Sequence, residues 1–276
     1  MEQVGIVINC RSDTDFLEEF SIAADMGLTS CQISVWDPSL YTNETALAIR
    51  GAVRETGLRV SVLRAGYTGP CEWNLTAGPD TVGLVPEAYR ARRIEQLLSA
   101  SVFCDKIGVA DLAAYAGFLP ENPTAPADGP VSACLRYLCG ALRSRGQNLL
   151  LETGLETPVA LLRVLRGLEA DNVFVNFDTA AYLQYGKGNP ADAVRILGDY
   201  VRGVRIRDGF YSRDGLTAGA QTRIGEGMVD FPLVLGLLKD SGYTGPYTID
   251  RDVSGERGRR EAAEALRFLS EVLEDL

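Results

Sequence analysis

The chain contains no histidine. That absence removes the side chain most often used as a metal ligand and as a general base near neutral pH. A site built for a cation or for proton transfer must then rely on carboxylates, arginine, lysine and tyrosine. Long apolar runs are missing as well, and none approaches the ~20 residues of a membrane-spanning helix. The start, Met1 to Asn9, lacks the basic end and apolar stretch of a secretion signal, so a cytoplasmic location is expected. The six cysteines (Cys10, Cys31, Cys71, Cys104, Cys134 and Cys139) form no C-x-x-C pair. This argues against structural zinc and for reduced, mostly buried thiols. Basic charge is in deficit, with a net charge of −10. The resulting field repels phosphate backbones and anionic membranes, which disfavours nucleic-acid and membrane partners.

What is present is a regular alternation. The 276 residues suit one large α/β barrel or two small domains, and a hydrophobic content of 46% is ordinary for a globular protein. Strand-like runs are expected over 4–9, 31–35, 59–65, 106–110, 148–152, 173–178, 201–207 and 246–250. Helical periodicity follows each, over 14–26, 45–56, 86–100, 131–145, 158–168, 190–197, 231–240 and 259–273. Asp13 or Ser12 is expected to cap the first helix, Asn189 with Pro190 the sixth, and Asp230 the seventh. Strict alternation implies a parallel sheet, and eight units close naturally into a single (β/α)8 TIM barrel over residues 1–276. An open doubly wound sheet is less favoured, because no Gly-x-Gly-x-x-Gly turn follows the first strand. The long loops follow strands three, four and seven, which places them on the C-terminal face where such barrels keep their sites.

The last four strands each end in charge, at Glu152, Asp178, Arg205 and Asp250. A single charged strand end is ordinarily just solvated at a loop boundary. Four in succession are forced toward one another by the closed barrel. Alternation of faces gives one register with all four pointing inward, in which Glu152 goes with Leu150, Asp178 with Asn176, Arg205 with Gly203 and Arg207, and Asp250 with Thr248. Three carboxylates in one mouth need compensation. A divalent cation, magnesium or manganese, suits their hard oxygens. Alternatively, the guanidinium of Arg205 sits among them, leaving a formal count of −2. Glu156 lies one short turn beyond Glu152, and Trp36, Trp73 and Tyr67 sit at or after strands two and three, where they form either an apolar wall of the mouth or plain rim packing. Lys187 and Arg207 are candidates for a substrate phosphate, although isolated loop cations are more often merely solvated. Asp208, Asp214 and Asp252 read as bland, with Asp252 facing solvent or paired with Arg251 or Arg207.

The segments LLLETGLETP (149–158), VNFDTAAYLQYGKGNPADAV (175–194), YVRGVRIRDG (200–209), IGEGMVDFP (224–232) and GYTGPYTIDRDVSGE (242–256) resemble the sugar phosphate isomerase/epimerase family. These are the xylose isomerase-like TIM barrels. GPCEWN (69–74) and GFLPENP (117–123) fit the same pattern. The resemblance implies a divalent metal held by Glu, Asp, His and Glu at the ends of strands five to eight. Glu152 and Asp178 match the first two positions, Arg205 stands at the histidine and Asp250 at the last glutamate. Tyr115 is the nearest counterpart of a histidine that relatives carry in the fourth loop. The metal set is therefore degenerate, since arginine does not coordinate metals.

The implied activity moves a proton between adjacent carbons of a monosaccharide or sugar phosphate, with Glu152 and Asp250 as the acid/base pair. Asp178 would orient a cation, Arg205 or Arg207 would stabilise the oxyanion, and Glu156 would hold a hydroxyl. The alternative is a metal-free, catalytically inactive sugar-binding or regulatory relative. A DNA-repair endonuclease of the same barrel class is disfavoured, because it needs histidines and a basic face. Barrels of this family often pair, so a homodimer is a further expectation.

Overall fold

The computed structural model describes residues 4–251, 253 and 255–276, so Asp252 lies outside the described residues. Eight strands form the barrel wall: β1 (Val4–Cys10), β2 (Ser30–Val35), β3 (Arg59–Ala65), β4 (Asp111–Ala114), β5 (Asn148–Glu152), β6 (Val173–Asp178), β7 (Val201–Ile206) and β8 (Tyr247–Ile249). Around them lie α1 (Phe16–Asp25), α2 (Asn43–Thr56), α3 (Glu87–Ile107), α4 (Asp128–Arg143), α5 (Pro158–Leu168), α6 (Pro190–Leu197), α7 (Phe231–Asp240) and α8 (Gly255–Glu274). The strands pair in sequence order and β8 closes on β1, every pairing being parallel. The expected (β/α)8 barrel is therefore observed. Among the described residues, no helix is long and apolar enough to cross a membrane. Four cysteines are buried, Cys71 and Cys134 are partly so, and all six are free.

Local chemistry explains most element ends. Asn189 accepts from the Ala191 amide at 2.8 Å, with Pro190 opening α6 where its missing N–H is not needed. Asp230 caps α7 through the Leu233 amide at 3.1 Å. The cap of α1 is Asp15 rather than Asp13 or Ser12, because Asp15 is the residue that reaches the Glu18 amide, at 3.0 Å.

The fourth unit departs most from expectation. Residues 106 and 107 end α3, Gly108 caps it at φ +73°, and β4 begins only at Asp111. The apolar face of α3 continues through Phe103, Cys104 and Ile107, which stay buried against the barrel. The β-branched look of 106–110 is thus overridden by helical packing.

Two layers fill the barrel interior. Deep inside, Val62, Ala113 and Leu150 pack together with Phe174 against them. Above them Gln32 bonds Asn176 in both directions, at 3.0 and 3.2 Å, and also reaches Thr248 at 3.4 Å. Glycine is required at 203, because a Cβ there would meet Asn176 Oδ1 at 2.3 Å. This polar layer is the floor on which the charged strand ends rest.

Candidate active site

The ends of β5 to β8 converge as expected, and their centre is a guanidinium. Arg205 donates from Nε and Nη2 to Asp250 Oδ2, at 2.8 and 2.6 Å. Its Nη1 bonds Glu152 Oε2 and lies 3.3 Å from the Tyr115 hydroxyl, while Nη2 pairs with Asp178 Oδ2 at 3.1 Å. All three nitrogens of Arg205 are thereby committed. Register produces this arrangement, since Arg205 sits beside Asp178 on one strand and Thr248 on the other. The shorter reach of aspartate at 250 leaves room for the guanidinium between the acids.

Two further arginines complete the cluster. Arg207 Nη1 pairs with Asp178 Oδ2 at 2.9 Å. Arg64, near the end of β3, donates from Nε to Glu152 Oε1 at 2.9 Å. Its Nη1 stands 3.5 Å from Ser34 Oγ and 3.7 Å from Asp250 Oδ2. Three guanidiniums balance three carboxylates, so the expected count of −2 is corrected to neutrality. Arg64 was missing from the sequence-based set. Its signal was the one used for the later strands, an inward charged residue close to a strand's C-terminal end.

The acids are otherwise well satisfied. Asn176 Nδ2 donates to Glu152 Oε1 at 2.9 Å, and the amides of Ala180 and Ala181 donate to Asp178 Oδ1 at 2.9 and 3.1 Å. Burial pushes each carboxyl up, but the surrounding guanidiniums outweigh it and hold Glu152, Asp178 and Asp250 below the ordinary carboxylate range. Burial disfavours the charged form of Arg205, and the same acids more than reverse this, so it stays a permanent cation.

Above the cluster opens a cavity of about 440 Å³, lined by Arg64, Arg205, Arg207 and Asp250 and by the aromatic group Trp36, Trp73 and Tyr115. Tyr115 contacts both indoles, with ring centroids 4.8 Å from Trp73 and 6.4 Å from Trp36. The two tryptophans meet edge-on at 5.6 Å.

Two long loops support this wall. The loop after β3 is held by buried Arg93 of α3, which donates to the carbonyls of Gly83 and Pro70, at 2.6 and 2.8 Å. The Leu75 amide of that loop donates to Leu216 in the loop after β7, at 2.9 Å. Asp208, set down as bland, organises the second loop, its carboxylate accepting from the amides of Gly209, Gly225, Gly227 and Val229. Asp214 is exposed and confined to a local turn through Leu216 and Thr217.

Neither Glu156 nor Lys187 lines this cavity. After Glu152 the chain turns away at Gly154, which packs on Ala181 so closely that a Cβ would fall 2.3 Å from that residue's Cβ. Glu156 is carried into a sealed environment where its Oε1 has no partner. Burial pushes its pKa up to about 8. Lys187 pairs loosely with Glu121 at 3.9 Å instead. Tyr67 is buried beneath the mouth, its hydroxyl donating to the Tyr115 carbonyl.

The divalent cation that the resemblance implies does not fit these residues. Glu152 Oε2, Asp178 Oδ2 and Asp250 Oδ2, the oxygens that converge on the centre of the mouth, are all held by Arg205, which stands where a cation would sit. Among the described residues no group of three or more His, Cys, Asp or Glu is arranged to hold a metal. Calorimetric titration with Mn²⁺ or Mg²⁺ is expected to show no saturable stoichiometric binding. A one-to-one isotherm would refute this account of the mouth.

Comparison with known proteins agrees with the fold. No curated protein matches the chain. Among solved structures, a xylose isomerase domain protein from Planctomyces limnophilus superposes with a TM-score of 0.91 at 28% identity, over 99% of this chain and 98% of that one. The 3-keto-D-glucoside 4-epimerase of E. coli gives 0.73 at 19% identity, over 98% and 100%. A xylose isomerase-like TIM barrel protein from Mycobacterium smegmatis, in complex with magnesium, gives 0.71 at 16%, over 99% and 97%. The family model described as xylose isomerase-like TIM barrel matches residues 20–272. By that match, and by a closed eight-stranded barrel with its charged strand ends gathered in one mouth, this chain belongs to the xylose isomerase-like TIM barrel family.

Proposed function

We propose that the chain is a sugar isomerase or epimerase that works without a metal, with Arg205 as its built-in cation. The observation that carries this reading is the convergence of Glu152, Asp178 and Asp250 on one guanidinium beneath an aromatic-walled cavity. The cavity falls within the usual range for small-molecule sites, about 300–1,000 Å³. Aromatic faces suit the C–H face of a sugar, and the charged floor suits its hydroxyl and carbonyl oxygens. The sugar epimerase that shares the fold supports the same substrate class.

The geometry divides the acids. Glu152 and Asp178 lie behind the arginines, whereas Asp250 lines the cavity. Proton transfer therefore falls to Asp250, and Glu152 and Asp178 hold the cations in place. Incubation with free and phosphorylated monosaccharides in deuterated water should exchange one carbon-bound proton, equally with chelator and with added Mn²⁺ or Mg²⁺. Proton NMR reads this directly. Absence of exchange with every sugar under both conditions would reject the reading.

One observation favours a second reading. Every nitrogen of Arg205 is committed, and the acids around it are poor proton acceptors. A sugar-binding or regulatory protein without catalysis needs only such a rigid floor. Saturable sugar binding by calorimetry, with no proton exchange, would favour it.

A further inference from the structure

The mouth does not end at its aromatic wall. A second cavity of about 540 Å³ adjoins it on the side of β1 and β2, and Asn9 and Trp36 line both. Arg11, Ser34, Asp37 and Arg251 belong to the second cavity alone. One hydrogen bond crosses the boundary: Arg64 Nη1, on the first cavity, donates to Ser34 Oγ, on the second, at 3.5 Å. Strand register produces the adjacency, since Asn9 and Ser34 are partners near the C-terminal ends of β1 and β2. Each cavity falls within the range of a complete small-molecule site, about 300–1,000 Å³. A single sugar ring over the charged cluster occupies the first and leaves the second to water.

Trp36 is the step between the two. A Cβ on Gly66 would fall 2.4 Å from Trp36 Cε3 and 2.5 Å from its Cα, so only glycine lets this tryptophan lie so close to the chain beyond β3. Trp73 meets the indole edge-on and Tyr115 stacks beside it. The side chain is held on these sides, yet the residue stays 39% exposed. An indole fixed in advance and left open costs a ligand little further ordering.

The polar groups decide what the second cavity takes. Arg251 is spent within the fold, on Glu261 through Nε and Nη2 at 3.1 and 2.7 Å and on the Thr222 carbonyl through Nη1. Among the described residues the Arg11 guanidinium makes no ion pair or hydrogen bond, so it is the cation this cavity can offer. Asp37 sets a carboxylate on the same lining, which opposes a phosphate. The side-chain amide of Asn9 is likewise without a hydrogen bond among the described residues. Amide, guanidinium and carboxylate together present donors and acceptors beside an apolar face. Hydroxyl groups on a ring match that combination, and a compact anion does not.

We infer that the ligand is a disaccharide or comparable glycoside, with one ring over the charged cluster and the second on Trp36 in the adjoining cavity. This rests on the reading of the mouth as a sugar site and extends it from one ring to two. Calorimetry on the intact protein should compare glucose, galactose, glucose 6-phosphate, maltose, cellobiose and lactose, with proton exchange in deuterated water followed by NMR for each sugar. At least one disaccharide should bind about tenfold more tightly than either of its component monosaccharides, the gain from one hydrogen bond to a charged group. Arg11→Ala removes an exposed side chain that the fold does not use, and should cut that affinity about tenfold. No disaccharide advantage, or one that Arg11→Ala leaves intact, would overturn the second ring, while exchange with a monosaccharide would keep the isomerase or epimerase reading. Tighter binding of glucose 6-phosphate than of any disaccharide would make the second cavity an anion site and overturn the inference. A disaccharide advantage lost in Arg11→Ala, with no proton exchange by any sugar, would support the two-ring site and reject the catalytic reading.

Discussion

Replacing Arg205 with methionine is expected to destabilise the fold by about 3–5 kcal/mol at pH 7, the range found when one partner of a buried ion pair is removed. Methionine preserves much of the volume, so the loss is electrostatic and not a cavity effect. It leaves Glu152, Asp178 and Asp250 facing only Arg64 and Arg207, with Glu152 losing one of its two cations. Against a typical total stability of about 5–15 kcal/mol this is a large share.

The deficit should carry a pH signature. In the native protein burial raises each carboxyl and the guanidiniums more than reverse it, so the folded pKa values lie below the unfolded ones. The resulting stabilisation is present above the unfolded pKa, about 4, and is lost as pH falls through the folded values. Without Arg205 the carboxyls protonate at higher pH, and protonation relieves their repulsion. Urea denaturation should therefore show a deficit largest at pH 7 and smaller at pH 4. A deficit below about 1 kcal/mol at pH 7, within the range of an exposed pair, would mean the cluster is not electrostatically coupled. So would a deficit that grows on acidification.

Much of this centre was legible before any coordinates, and particular residues show why. Asn189-Pro190, Asp230 and the charged ends of β5 to β8 announce themselves through chemistry local to each segment. β4 did not, because it is four residues with two alanines, and its strand character comes from the neighbours on either side. Arg64 escaped because Ala65 follows it within β3, so the strand does not end in charge. Asp208 read as an ordinary loop acid because three of its four amide donors lie 17 to 21 residues further on. Which arginine neutralises which acid depends on distances across the barrel, and no spacing in the chain encodes those. The outward turn at Gly154, which removes Glu156 from the mouth, belongs to the same class of fact.

Glu156 supplies the opposite kind of prediction, in which deleting an acid strengthens the protein. Its carboxyl is buried with Oε1 unpartnered, and desolvation raises its pKa to about 8. At neutral pH the folded chain therefore keeps this group protonated, while the unfolded chain ionises it. A raised folded pKa means the associated stability is fully present below the unfolded pKa, near 4.3, and is lost as pH rises through the folded value. Glutamine has nearly the same shape and cannot ionise in either state. Glu156→Gln should therefore leave stability at pH 4 almost unchanged and raise it by about 3 kcal/mol at pH 7, from 1.36 kcal/mol per unit of displaced titration. The gain should level off above about pH 8. Chemical denaturation at pH 4, 7 and 9 measures all three. Equal stability of variant and parent at pH 9 would show that Glu156 ionises freely in the folded protein. The buried surroundings of its carboxyl would then have to admit water.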